Sequence, residues 1–462
     1  MQHRFKAIGL IILVFVLTSS LLAGCGGNNN ASGTEGESGN NASAQNNTAA
    51  NNANAEKEDD TDQITNPEPV TLYVGWFDWE NFEEKFKEPV EKQFPHITVE
   101  KLGVVPGTLK EWIAKGERVP DIMWYQSPFE ISVTQNLGLA QDLTPLIEKH
   151  GFDLGKFRPE LIESMRGFSG GNELHALYRQ TAPYALHYNK DIFDAFGVDY
   201  PTDGMTWDEA IELAAKVSGT APNGETYWGL HPWIFNRLTY ESTLLDPETD
   251  EPRILTDPFF KEYLETFQKM YSVPGNLPVN DDKTGLMWAV GPFNEGKLAM
   301  LPLWPHIGYI GDADFEMDIV SLPTFPSYPG QQPESTSHNF GLLNTSEHLD
   351  EAFRVLAYIT SEEYLLEVFN FETPARLPFS DPSVADRFQL DPKFEGLNIE
   401  AYSKLEWSKG PGVRSKYESA ILDRVIMFMV NEIALSGKDV AQVLREADEL
   451  AKIAVAELKA AE

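Results

Sequence analysis

Cysteine is almost absent: the 462-residue chain has one. One cysteine excludes an intrachain disulfide and any cysteine-cluster metal site. Basic residues are scarce as well, 36 Lys and Arg against 71 Asp and Glu, for a formal net charge of −35. That balance excludes the basic stripe with which a nucleic-acid binder neutralises phosphates. It fits a dispersed surface that repels anionic headgroups. There is no G-x-G-x-x-G and no P-loop, so nucleotide binding is not expected. There is no H-E-x-x-H, and no carboxylate pair has a distinctive spacing. Neither a catalytic residue nor a cofactor is expected. The polar run Asp246–Pro252 (DPETDEP) lacks the glycine and closing glutamate of a calcium loop. It reads as a solvated turn, so no metal site is expected. No internal repeat is evident.

The N-terminus reads as an address. Arg4 and Lys6 precede the apolar run Ile8–Leu17, which is too short to span a bilayer stably. Leu22-Ala23-Gly24-Cys25 follows, and holds the sole cysteine. Small residues before a cysteine, directly after an apolar run, resemble the lipobox of bacterial lipoproteins. The resemblance implies that residues 1–24 are a signal peptide cut before Cys25, which then carries lipid, with palmitate among its acyl chains. The chain would be held on the extracellular face of the cell membrane. Two or three acyl chains anchor stably, since each buried CH₂ contributes about 0.8 kcal/mol. The alternatives are an ordinary signal peptide with a chance cysteine, or an uncut anchor helix. Residues 25–67 are rich in Asn, Ala, Gly and Ser and then acidic over Glu56–Asp62. No core can be built from them, so they read as a disordered tether. Such a coil of roughly 40 residues spans on the order of 35 Å.

The remainder has the composition of globular domains, with 42% hydrophobic residues overall. Val70–Gly75 reads as a buried strand. Phe82, Phe86, Val90 and Phe94 recur every four residues, predicting an amphipathic helix that Pro89 kinks. Ile97–Leu102 is a second strand, Leu109–Lys115 a helix and Pro120–Tyr125 a third strand. That alternation predicts βαβ units, a parallel sheet and right-handed crossovers, hence an α/β fold. In such sheets ligands bind beyond the carboxyl ends of the strands. Here those ends carry Trp76-Phe77-Asp78-Trp79 and Tyr125-Gln126.

A run of motifs then resembles one family. Lys115–Ile147, with Val119-Pro120-Asp121-Ile122 and Gly138-Leu139-Ala140-Gln141-Asp142-Leu143-Thr144-Pro145-Leu146, is similar to the family-1 extracellular solute-binding proteins of ABC importers, the maltose-binding-like group. Tyr178, Leu186, Tyr188-Asn189-Lys190, Phe193 and Gly197 continue the pattern, as do Thr206-Trp207-Asp208-Glu209. So do Phe293–Met300, Glu351–Tyr358 and Thr373-Pro374-Ala375-Arg376. One departure is Leu301-Pro302-Leu303-Trp304, where the family carries small residues before the aromatic. The resemblance covers about residues 70–460. It implies a two-lobed type II periplasmic-binding-protein fold with discontinuous lobes joined by a hinge. Residues 68–180 with 341–395 would form one lobe, and 181–340 with 396–462 the other. The chain would cross between them at Leu177–Lys190, at Ser335–Asn344 and near Asp391–Leu397. Within these motifs Thr206 and Glu209 form a capping box, and Trp207 reads as core. Met427–Ser436 and Val440–Ala460 read as closing helices.

The candidate ligand-binding residues are Trp76, Asp78, Trp79, Tyr125, Gln126, Trp233, Trp304, Arg376 and Trp407. Aromatic faces cover the C–H face of a pyranose, and charged or amide groups fix its hydroxyls. Each residue has a plainer alternative: the aromatics as core, Asp78 as a helix N-cap, Arg376 as a clamp on its own turn. Tyr178 and Arg179 are weaker candidates for ligand contact. The expected function is capture of a mono- or oligosaccharide by hinge closure and delivery to the membrane subunits of an ABC permease, by a monomer that is not an enzyme. Rival ligands are a polyamine, a phosphorylated polyol or a peptide-like solute. The rival class is an extracellular glycosidase with two carboxylates.

Overall fold

The computed structural model describes residues 68–77, 81–231, 239–276, 289–305, 313–335, 338–368, 373–387 and 389–461. Thr65–Glu462 forms one compact unit. Within it two five-stranded sheets alternate with helices. The first is ordered β2-β1-β3-β11-β4, from β1 (Val70–Gly75), β2 (Ile97–Leu102), β3 (Ile122–Tyr125), β4 (Leu177–Tyr178) and β11 (Asn339–Leu342). The second is ordered β6-β7-β8-β5-β9. It uses β5 (Ala185–Asn189), β6 (Gly219–Thr220), β7 (Thr226–Leu230), β8 (Leu298–Leu303) and β9 (Met317–Ser321). A parallel pair, β10 (Gln331–Gln332) with β12 (Glu406–Trp407), stands apart.

The expected parallel sheet holds for β1 against β2 and β3. It fails where the chain returns: β11 runs antiparallel to β3 and β4. The reason is topological, since β11 arrives from the other lobe rather than through a helical crossover. The two sheets share the chain discontinuously. Seven residues after Tyr178 ends a strand of the first sheet, Ala185 starts one of the second. β9 lies in the second sheet and β11 in the first. Further on, Val384 packs in the first core, whereas Phe394 packs with Ala401 and Tyr402 on the second sheet.

Strand alternation builds the cores. Leu72, Val74 and Trp76 share one face of β1 and its extension, and all are buried in the first core. On β5, Leu186 and Tyr188 face one core while Ala185 faces another, so both sides of the second sheet are covered.

The helix after β1 opens with a wide π turn, Glu83–Lys87, before the α-helix Glu88–Gln93. Pro89 explains it: proline has no N–H for the carbonyl four residues back, and its ring crowds that carbonyl. The Lys85 carbonyl accepts the Tyr364 hydroxyl instead. The capping box is formed: Thr206 N–H donates to Glu209 at 2.8 Å and Glu209 N–H to Thr206 Oγ1 at 3.3 Å. Trp207 is core. The closing region differs from expectation at one end. An α-helix starts at Glu418 and runs to Asn431, continuing as a π turn Glu432–Ser436. Its early inner residues, Ile421 and Val425, stand among charges, which masked the periodicity. The last helix is Val440–Ala460, as read. Among the described residues no helix is long and apolar enough to cross a membrane.

Candidate functional site

Three segments meet where the first sheet ends. They are the first crossing, residues 179–184; the second, at residues 332–335 and 338; and the turn at residues 373–377. Thr181 stitches the first to the third: its N–H donates to Arg376 O at 2.8 Å and its hydroxyl to Ala375 O at 2.9 Å. Ala182 N–H donates to Ser335 Oγ at 3.3 Å, and Tyr178 OH to Ser335 O at 3.1 Å, joining first to second. Arg376 reaches across to Pro305 O at 3.4 Å, at the end of β8. Asn339 opens β11 opposite both Tyr125 and Tyr178. The second crossing therefore lies just beyond the carboxyl ends of β3 and β4, the edge at which α/β sheets take ligands.

The sequence-predicted residues fall in different places. Trp76 is 1% exposed. Its ring stacks on Trp124 at 5.7 Å and meets Phe82, Phe86 and Phe340 at 5.2 to 5.8 Å. It supports the site's wall from inside the lobe. Phe77, which sequence reasoning passed over, is 40% exposed and 5.8 Å from Trp124. The period-two face Leu72-Val74-Trp76 was the available signal: it turns Trp76 inward and Phe77 outward. Tyr125 is buried, with its hydroxyl 2.9 Å from Thr134 Oγ1, and burial pushes its phenol well above the ordinary value. Gln126 is half-buried at the rim, its N–H donating to Glu130 at 2.7 Å. Burial raises the Glu130 carboxyl.

Trp304 is half-buried and meets Tyr184 edge-to-face at 6.1 Å, across the end of the second sheet. Arg376 is buried beside the first crossing. Trp407 is buried in β12, paired to Gln332 on the second crossing. Asp78, Trp79 and Trp233 lie outside the described residues, as does Cys25. The turn at Asp246 closes on itself, its carboxylate accepting from Glu248 N–H, Thr249 N–H and the Thr249 hydroxyl at 3.0 Å each.

Sequence reasoning missed a buried polar cluster at one end of the site. Glu334 is fully buried on the second crossing. It pairs with Arg414 Nη2 at 2.5 Å and accepts from Ser164 Oγ at 2.5 Å. Ser164 belongs to the helix Pro159–Phe168 of the first lobe. The Arg414 guanidinium also lies 3.9 Å from the Phe168 ring centroid and 5.7 Å from that of Phe129, a cation–π arrangement. The two lobes touch closely here. A Cβ on Gly167 would come within 2.4 Å of Gly412 O, so only glycine fits. Glu418 lies next to the same guanidinium and accepts from Leu244 and Leu245 N–H at 3.3 and 3.4 Å. Burial pushes its carboxyl up to about 7, partly offset by Arg414. Burial likewise raises Glu334. One cation thus faces two buried carboxylates.

A model of the bacterial extracellular solute-binding protein family matches residues 79–365, more than half of the chain. Among curated relatives, the sn-glycerol-3-phosphate-binding periplasmic protein UgpB of Rhizobium meliloti is 30% identical over 162 residues. That match covers 34% of this chain and only 37% of the relative's length. Solved structures agree in fold. An ABC substrate-binding protein of Listeria monocytogenes, in complex with cycloalternan, superposes with a TM-score of 0.64 at 18% identity. It covers 84% of this chain and 100% of its own. UgpB from Mycobacterium tuberculosis, in complex with glycerophosphocholine, gives 0.58 at 15% identity, covering 85% and 100%.

Proposed function

Because the chain belongs to the family of bacterial extracellular solute-binding proteins, we propose that it captures a neutral, hydroxyl-rich solute, a mono- or oligosaccharide, between its two lobes. It delivers that solute to the membrane subunits of an ABC permease. It acts as a monomeric binding protein, without catalysis. Binding draws the lobes together because the ligand contacts both in the closed form and one in the open form, so its differential affinity moves the equilibrium.

The observation that carries the neutral reading is the state of the guanidinium groups around the crossings. Arg414 is 6% exposed at its side chain and already neutralised by Glu334. Arg179 is fully buried and faces His338, and Arg376 holds the Pro305 carbonyl. Among the described residues these groups are committed within the protein, whereas a phosphate needs charge-assisted donors turned toward it. Trp304 and Phe77 supply aromatic surface, with Tyr184 packed behind Trp304; Trp79 and Trp233 are proposed to add to it, and Asp78 to bond a hydroxyl. The second reading is a glycerophosphate-type ligand, favoured by the name of the curated relative and by the glycerophosphocholine complex.

Thermal melting of the full chain decides between them, since a ligand adds RT ln(1 + [L]/Kd) of stability. At a hundredfold excess over Kd a neutral oligosaccharide should add about 2.7 kcal/mol. A shift with glycerophosphocholine or sn-glycerol 3-phosphate and none with any sugar would overturn the neutral reading. Release of a shortened product would overturn the binding-protein reading.

We further propose that Cys25 carries the lipid anchor and that residues 26–67 tether the body to the outer face of the membrane. The variant Cys25→Ala should leave the membrane fraction or retain its uncut leader. Unchanged membrane association with a cleaved N-terminus would refute the anchor.

A further inference from the structure

The helix Pro159–Phe168 lays one face along the stretch that leads into the helix Glu418–Asn431. Lys409 Nζ lies 3.2 Å from Glu163. Gly167 meets Gly412 backbone to backbone, and a Cβ on Gly171, just past the helix, would come within 2.8 Å of Val413 Cγ2. Phe168 carries the Arg414 guanidinium over its ring. Glu163, Ser164, Gly167 and Phe168 share one helical face, so the seam is continuous. The helix belongs to the first lobe, through Leu161 and Met165 in its core, and the facing stretch to the second, through Tyr417 and Ile421. Glu334 is held by the second lobe: its N–H donates to Thr239 O at 2.7 Å, and Gln331-Gln332 just before it pair with Glu406-Trp407. The hydrogen bond from Ser164 to Glu334 therefore joins one lobe to the other.

The first lobe brings two rings and one hydroxyl to the polar cluster, and covers one guanidinium and two carboxylates with them. A cavity at this point is lined by Phe129 of the first lobe and by Thr239, Tyr240, Tyr263, Arg414 and Glu418 of the second. Around Glu418 the charges are Arg414, four residues before it, and Glu334, on the second crossing. The Tyr240 and Tyr263 phenols are kept neutral by burial. Lys416 lies over the Tyr417 ring at 4.9 Å, and Asp250 accepts from Ser415 at 2.7 Å and pairs with Lys459 at 2.8 Å. Glu130, beside Phe129, is turned to Gln126 N–H at 2.7 Å. With both carboxylates ionised the covered group has a net negative charge, and with one proton added it is neutral. Loss of water favours the neutral arrangement. Parting the lobes lets water back.

We propose that this seam is a proton-linked latch between the lobes: on closure Ser164, Phe168 and Phe129 dehydrate Arg414, Glu334 and Glu418 together, the carboxylate pair takes one proton from solvent, and the solute is held more tightly in acid than at neutral pH. The inference rests on the solute being bound by closure of the two lobes. The direction follows from linkage. Where the lobes meet, burial holds the Glu418 carboxyl at about 7 against an ordinary 4.5, and water returning on opening draws it back down. Affinity is therefore full below about pH 4.5, falls as pH rises toward 7 and is level above that. Arg414 is a positioning residue of the latch. It keeps one carboxylate charged, so that a single proton neutralises the group.

Two measurements on the full chain in detergent test it. The first is calorimetric titration in two buffers of different ionisation heat, which counts protons. Cycloalternan, mannotriose and glycerophosphocholine are the probes, and none of them titrates near neutral pH. For a probe that binds, the parent should take up more than about half a proton at pH 6 and bind about tenfold more tightly at pH 5.5 than at pH 7. Glu418→Gln should bind with no proton uptake and a level pH profile. Phe129→Ala, which opens the cavity from the first lobe, should cut the uptake at least about twofold. No uptake by the parent, or the same uptake by Glu418→Gln or by Phe129→Ala, overturns the latch. The second measurement needs no solute. Spin labels at Glu111→Cys and Lys216→Cys, exposed positions on helices of the first and second lobes, report the distance between lobes. Its distribution should shift between pH 5.5 and 7.5 in the parent and stay fixed in Glu418→Gln. A distribution that ignores pH in the parent overturns the latch. If glycerophosphocholine alone binds, the neutral-solute reading fails by itself, and the interlobe distance still decides the latch.

Discussion

Arg414→Met is expected to lower the stability of the chain at neutral pH by about 3–5 kcal/mol, the range for breaking a buried ion pair from one side. The reason lies in what is left behind. Glu334 is fully buried and Glu418 nearly so, and both face this one guanidinium. Without it, the two carboxylates share a dry site in which the Ser164 hydroxyl and the Leu244 and Leu245 N–H groups are too few to hold both charges. The loss should depend on pH in a definite direction. Burial raises both carboxyls in the folded chain, Glu418 to about 7 against an ordinary 4.5. The folded state therefore holds protons more tightly than the unfolded state, so stability is full below about pH 4.5 and falls as pH rises toward 7. At about 1.36 kcal/mol per pH unit, Glu418 alone accounts for on the order of 3 kcal/mol across that window. Removing Arg414 carries the fall to higher pH, because the cation that lowers both carboxyls has gone. Urea unfolding at a series of pH values measures it. A variant whose loss is the same at pH 4.5 and pH 7.5 would sink the account, as would Glu418→Gln melting with an unchanged pH profile. The same variant tests the contact between lobes, since Phe168, Phe129 and Ser164 belong to the first and Arg414 to the second.

Trp76→Ala should be comparably severe, at about 3–5 kcal/mol, the range for emptying a large aromatic site in a core. Trp76 touches Phe82, Phe86, Trp124 and Phe340, so its loss opens a void bounded by rings held on two strands and on the helix after β1, which cannot collapse freely. Trp76→Phe should recover most of the loss. The informative comparison is with Phe77→Ala on the same rim. That substitution should leave stability within about 0.5 kcal/mol, as exposed positions do, and change ligand affinity instead. Chemical denaturation and calorimetric titration on both variants separate the roles. If Trp76→Ala kept its stability and lost only affinity, Trp76 would be a contact residue and the inward reading of β1 would be wrong.

Those neighbouring residues show how far sequence reasoning reaches. The strand Val70–Gly75 was legible because alternation and β-branched composition are local properties. So was the capping box at Thr206 and Glu209, whose partners are three residues apart. The crossing at Leu177–Lys190 was legible from its place between two motif runs. Trp76 was read as a contact because it follows a strand, although continuing the alternation by one step places it with Leu72 and Val74. His338 sat inside a segment identified only as a crossing. Arg179, 159 residues away in sequence, lies beside its Nδ1, a contact that nothing local announces. The start of the Glu418–Asn431 helix was hidden because the exposed Asp423 and Arg424 break the apolar run in sequence, although its inner face, Ile421, Val425 and Met429, is continuous.

Sequence alone determined the strands β1 to β3 and the cap at Thr206, through short-range periodicity, while the order of motifs, through the family it resembles, carried the two-lobed plan. Tertiary structure alone decided which residues face the space between the lobes and how charge is distributed there. Glu334 meets Ser164 across 170 residues and Arg414 across 80. Nothing in the neighbourhood of any of the three announces the others. A buried charge is tolerated only where a partner has been brought to it, and which partner arrives is fixed by how separately folded elements come to rest against one another.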